Sequence, residues 1–120
     1  MSFPPRFLVT PVILAFSTKA LRSLCECQAK AERELGLKVA KKLRERLADI
    51  RAASNVTELV AGHPREIEGE RLPNYAINLA DGYRMVLCAN HNDIPQTKIR
   101  RVDWSKVSRV RIHRIEVAHE

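Results

Sequence analysis

Residues 75–88 read Tyr-Ala-Ile-Asn-Leu-Ala-Asp-Gly-Tyr-Arg-Met-Val-Leu-Cys. Tyr75, Ile77 and Leu79 alternate with Ala76, Asn78 and Ala80, the two-residue period of a half-buried strand. Asp81-Gly82 supplies a tight hairpin turn, since glycine takes positive φ without a Cβ clash. Tyr83, Met85 and Leu87 then resume the alternation, with Arg84, Val86 and Cys88 on the other face. The stretch predicts a β-hairpin with a guanidinium planted among apolar neighbours. Arg84 is then either paired with an acid across the sheet or placed to meet an anion.

Working outward, the run from 98 to 114 carries Lys98, Arg100, Arg101, Lys106, Arg109, Arg111 and Arg114 against a single acid, Asp103. Val110 and Ile112 share one parity there, and Ile115 and Val117 the other. This switch predicts a strand over 107–119 with a bulge near His113-Arg114, or a strand covered on both faces. The single tryptophan, Trp104, is expected to plug its ring into the core beside the polar loop 89–106. Upstream of the hairpin, residues 54–74 hold Gly62, Gly69, Pro64 and Pro73, and are expected to be largely irregular. A connection this long in a small domain is usually functional or disordered, and it contains His63, Arg65 and Arg71.

Residues 19–53 have a helical pattern. Leu21, Leu24 and Cys25 share a face, Gly36 breaks the run, and Leu35, Val39, Leu43, Leu47 and Ile50 form a second stripe. Two helices are expected, with Ser17 or Thr18 capping the first. Residues 6–16 read as a buried strand in which Pro11, lacking an N–H, marks an edge, a bulge or a break. Residues 1–5 read as a tail. The order is β-α-α-β-β-β, which predicts one α+β domain over 1–120: about four mainly antiparallel strands with two N-terminal helices on one face.

Composition bounds the function. The 120 residues carry 21 Lys and Arg against 14 Asp and Glu, a formal charge of +7. Such a field attracts polyanions: nucleic acid, an anionic membrane or an acidic protein. No segment reaches the length of a membrane span. The apolar stretch 7–16 is interrupted by Pro11 and lacks a signal-peptide cleavage pattern, so a cytoplasmic protein is expected. Three cysteines without framework spacing predict reduced thiols. Cys25-x-Cys27 has no second ligand pair at finger spacing, so no metal and no cofactor is expected.

The order of elements, with Leu21-Arg22-Ser23-Leu24-Cys25-Glu26, Leu59-Val60-Ala61-Gly62-His63-Pro64-Arg65-Glu66, Tyr83-Arg84, Asp103-Trp104-Ser105 and the terminal Ile115-Glu116-x-x-His119, resembles the RelE superfamily of type II toxin–antitoxin systems, in particular its HigB-like killer-protein branch. The resemblance runs from about residue 12 to the end. It implies a toxin that enters the ribosomal A site and cuts mRNA there without a metal. A cognate antitoxin neutralises it, and operator DNA is reached only through that antitoxin, which has a helix-turn-helix. Arg84 matches the hairpin arginine that contacts the scissile phosphate, His119 the C-terminal histidine, and His63 a loop histidine of some members. Arg65 and Arg71 match basic loop positions, and Lys98, Arg100, Arg101, Arg109 and Arg111 extend the RNA-binding set. The pattern departs at Val117-Ala118, where HigB-like members often carry Asp-Tyr before the histidine, and at Glu68, which aligns with a lysine in some members.

The chemistry requires a base for the 2′-OH, a cation for the phosphorane and an acid for the leaving 5′-oxygen. Histidines near neutral pKa and an arginine meet these needs, and only RNA has the 2′-OH. The other class of function is a ParE-like or degenerate member that acts by binding, as a gyrase-type inhibitor or a nuclease-deficient nucleic-acid-binding module. The missing Asp and Tyr favour binding; Gly62-His63-Pro64-Arg65 and His119 favour cleavage.

Overall fold

The computed structural model describes residues 11–118. Thr18 accepts a hydrogen bond from the Leu21 N–H on its Oγ1 at 3.0 Å and so caps helix α1, Lys19–Glu26. Cys27 is extended and ends it; α2 is Gln28–Leu35, and Gly36 separates it from α3, Leu37–Ala52. Residues 19–53 therefore hold three helices where two were expected. The additional break falls at Cys27, which no glycine or proline announces. Its cause is tertiary: α1 lies against the first strand, α2 against α3, and the chain turns between these two supports.

On α3 the expected stripe is the buried one. Val39, Leu43, Leu47 and Ile50 are each 2% exposed or less. Side chains of this kind contribute about 1.5–3 kcal/mol each on full burial. Leu43, Leu47 and Ile50 pack, with Ala31 and Ala40, on one face of a sheet that has five strands among the described residues: β1 Ile13–Phe16, β2 Arg65–Ile67, β3 Asn74–Asn78, β4 Tyr83–Ala89 and β5 Arg109–Val117. The spatial order is β1-β5-β4-β3-β2. β1 runs parallel to β5 and the other pairs are antiparallel, so this is an α+β domain with a mixed sheet. Among the described residues no helix is long and apolar enough to cross a membrane.

The fifth strand, β2, comes from the connection expected to be irregular. Its register sets Arg65 opposite Ala76 and Ile67 opposite Asn74. Three residues are too few to announce a strand. What holds them is remote: Trp104 Nε1 donates to Glu66 Oε1 at 2.8 Å, and the Trp104 ring lies 4.9 Å from that of Tyr75. Trp104 is 8% exposed, inside the core as expected.

The β3–β4 hairpin follows its sequence pattern. Ile77, Met85 and Leu87 are buried towards the helices. The turn closes with Tyr83 N–H donating to the Ala80 carbonyl at 3.0 Å, and both Asp81 (φ 54°) and Gly82 (φ 78°) take the positive φ of a primed hairpin turn. β5 carries the expected bulge: Val86 faces Arg114 while Leu87 faces Ile112, leaving His113 as the extra residue. β1 is confined to Ile13–Phe16, and as the edge strand of the sheet it has no fully buried residue, contrary to the expected buried strand; Pro11 and Val12 precede it outside the ladder, and residues 6–10 lie outside the described residues.

Candidate nucleic-acid interface

Residues that face one another across a ladder share a face of the sheet. The register therefore assembles a second face, turned away from the helices, from alternate residues of every strand. One row across it is Arg65, Ala76, Val86, Arg114; the next is Asn78, Arg84, Glu116. Arg109 and Arg111 lie on the same face of β5, opposite Ile13 and Ala15. The bulge at His113 makes this arrangement. Without the extra residue, Arg114 and Glu116 would point into the core and Ile115 out of it.

Arg84 is paired. Its Nε donates to Glu116 Oε2 at 2.8 Å and an Nη lies 2.7 Å from the same oxygen, while Arg114 Nε donates to Glu116 Oε1. Of the two roles open to Arg84 from the sequence, the cross-sheet ion pair is the one present. Burial would raise the Glu116 carboxyl, but the hydrogen bonds and charges of Arg114 and Arg84 outweigh it and hold it below the usual carboxylate range. The triad is two cations to one anion, so it keeps a net positive charge.

Next to it, Arg65 Nη1 donates to the His63 carbonyl at 3.0 Å and to Asn78 Oδ1 at 3.1 Å, and Asn78 is the register partner of Arg84. The Asn78 N–H donates to the Gly62 carbonyl at 2.6 Å. Gly62 (φ 86°) has no room for a side chain: a Cβ there would sit 2.7 Å from Ile77 Cγ2 and 2.8 Å from Asn78 O. The Gly-His-Pro loop is thus sewn to the end of the hairpin that carries Arg84, with His63 exposed at φ 51°. At the same, turn end of the hairpin the Ala118 N–H donates to the Gly82 carbonyl at 2.8 Å. His119 lies outside the described residues.

A cleft of about 600 Å³ opens on this face, between the 68–73 loop and β4–β5. Arg71, Arg111, Arg114 and His113 line it together with Glu68 and Glu70, and Cys88, Ala89, Ile94 and Val102 supply apolar wall. Arg71, Arg109 and Arg111 form no ion pair among the described residues. The basic run splits in two. Arg109, Arg111 and Arg114 stand on the sheet, whereas exposed Lys98, Arg100 and Arg101 sit on a loop closed by the Gln96–Val102 bridge.

The sequence offered Arg84, Arg65 and Arg111 as separate candidates, on the hairpin, in the 54–74 connection and in the basic run; it did not place them on one face, and it gave no part to Glu116 as a partner, to Asn74 or to His113 beyond the bulge. The parity switch in 107–119 was the signal for the first and last, because a bulge there puts 84, 114 and 116 on one side. Asn74 left no such signal. His91 has a plain structural role: its Nε2 accepts from the Ser108 and Arg109 N–H groups at 3.1 and 3.2 Å.

No protein family, no curated protein and no solved structure matches this chain.

Proposed function

We propose that this chain is a RelE-type, HigB-like toxin: a cytoplasmic, metal-independent endoribonuclease that cuts mRNA on the ribosome and is held in check by a cognate antitoxin. The supporting observation is the face of the sheet that bears Arg84, Arg114 and Arg65 beside a cleft rimmed by Arg71 and Arg111. A surface of this charge and concavity suits a single-stranded polyanion. In this reading Arg84 and Arg114 release Glu116 to receive the scissile phosphate and stabilise the phosphorane, with the guanidinium fork matched to two phosphate oxygens. His63, on the loop sewn to Asn78, and His119 divide the two proton transfers. The antitoxin binds as protein, and operator DNA is engaged through it.

A specific observation favours a second reading, in which the chain acts by binding alone as a gyrase-type inhibitor or nucleic-acid-binding module. The Arg84 guanidinium already has a carboxylate partner at 2.7 Å. Primer extension on mRNA after brief induction in bacteria separates the two. Cuts inside translated codons that vanish in Arg84→Ala and His119→Ala are the expected result. Growth arrest with intact mRNA points to binding alone.

A further inference from the structure

The two most exposed large apolar side chains among the described residues are Val60, 87% exposed, and Ile99, 76% exposed. A single exposed apolar residue is ordinary on a protein surface. These two differ from that case because each stands among charges of one sign, and the two signs are opposite.

Ile99 tips a small finger, residues 96–102. The Gln96–Val102 bridge closes its base, Val102 is buried in the core, and the Asp103 N–H donates to the Pro95 carbonyl at 2.9 Å. The Thr97 N–H donates to the Arg101 carbonyl at 2.7 Å, and the Arg100 N–H to the Thr97 carbonyl at 3.0 Å. The Arg101 N–H donates to Thr97 Oγ1 at 3.2 Å. The tip is therefore held in one shape before it meets anything, which lowers the entropic cost of docking. Lys98, Arg100 and Arg101 surround Ile99 and form no ion pair among the described residues.

Val60 stands at a second cleft, of about 340 Å³, between the C-terminal turn of α3 and residues 58–61. Ala52, Ala53 and Leu59 give it apolar wall, and its charged lining is acidic, Asp49 and Glu58. Glu58 accepts from the Ser54 N–H and the Ser54 hydroxyl, both at 2.7 Å, so its partners are neutral and its charge is undiminished. Asp49 lies 3.6 Å from Arg46. The C-terminal end of α3 adds the negative end of its dipole, which favours a cation there.

Finger and cleft are neighbours. The short turn Val56–Glu58 at the cleft packs against the turn Trp104–Lys106 that follows the finger. Two features on one side of a chain, complementary to each other, suit a reciprocal exchange about a two-fold axis. We infer that the chain docks on a second copy of itself, the Ile99 finger of each copy entering the Val60 cleft of the other, with Lys98, Arg100 and Arg101 set against Asp49 and Glu58. An acidic partner would satisfy the finger and leave the cleft unused; a second copy uses both. The net charge of +7 opposes association, but charges more than about 8 Å apart are screened at physiological ionic strength and those in contact are not. The inference does not depend on the RNA reading.

The test is sedimentation velocity on the full chain, freed of nucleic acid by nuclease and high salt, at physiological salt from about 10 µM to about 1 mM, the range of weak, small interfaces. Wild type, Ile99→Glu, Val60→Lys and an equimolar mixture of the two variants are compared, each variant with its thermal midpoint checked. Both positions are exposed, so both variants should fold. The wild type should pass from monomer to dimer across the range. Each variant alone should stay monomeric, a loss of at least about tenfold in affinity. The mixture should dimerise again, because one variant keeps its cleft, the other keeps its finger, and the two altered sites meet with opposite charges. A wild type that is monomeric throughout, association that persists in either folded variant, or a mixture that stays monomeric overturns the inference. Association that appears only when RNA or polyglutamate is added makes the finger a polyanion contact and also overturns it.

Discussion

Arg84 and Glu116 are register partners on adjacent antiparallel strands, and the arginine holds one carboxylate oxygen with two nitrogens at 2.7 and 2.8 Å while Arg114 takes the other oxygen. The carboxylate stands where an oxyanion would be gripped by the same two guanidiniums. The pair has two separable consequences, one for anion binding and one for stability.

If the chain binds RNA as proposed, Glu116 competes with phosphate for the two guanidiniums. Glu116→Gln should tighten RNA binding at low salt, whereas Arg84→Ala should weaken it. In the double variant the gain from Glu116→Gln should shrink, because the freed guanidinium is gone. Anisotropy on the four proteins gives the coupling directly. If cleavage occurs, Arg84→Ala should lower its rate by two to three decades, about 3 kcal/mol by analogy with loss of an oxyanion donor, while antitoxin binding stays nearly intact.

For stability, the sign follows from the depressed Glu116 carboxyl. A group whose folded pKa is lowered contributes stability above its unfolded value, about 4.3, and loses it as pH falls through the folded value. Urea midpoints of the wild type should therefore fall on the acid side of about pH 4, and part of that slope should be missing in Glu116→Gln. The two proteins should converge at low pH and differ at neutral pH.

Cys25 gives a chemical check on the helix packing. Burial pushes its thiol up to about 11, against the opposing charge of Arg51. The thiolate is the reactive form. At pH 8 its alkylation in the folded protein should be about a hundredfold slower than in urea, where the ordinary value returns. Peptide mass spectrometry resolves it from exposed Cys27.

Trp104 and Glu66 tie the polar loop to β2, the strand that flanks the Gly-His-Pro loop. Trp104→Phe keeps a ring in the core but drops the N–H donor and some volume, and should cost about 1–3 kcal/mol. Glu66 is exposed and can turn to water, so Glu66→Gln should cost less. Hydrogen exchange at Arg65–Ile67 should rise in the tryptophan variant before it rises in β4.

Some of this protein was decided within the sequence alone. The alternation of 75–88 around Asp81-Gly82 gave the hairpin, and the spacing of Val39, Leu43, Leu47 and Ile50 gave the buried side of α3. The parity change in 107–119 gave the bulge. Each is a local rule, in which neighbours along the chain define the period and burial follows it. The turn at Cys27 and the strand Arg65–Ile67 are different. They exist because α1 and α2 rest on different supports and because Trp104, 38 residues away from Glu66, reaches that strand. The same holds for the candidate site. Arginines 65, 84, 111 and 114 were visible one by one as charges, but their common face, the carboxylate between two of them and the cleft beside the 68–73 loop arise only when five strands are set in register. Distances across a sheet depend on pairing between segments far apart in the chain, and no periodicity within one segment encodes them.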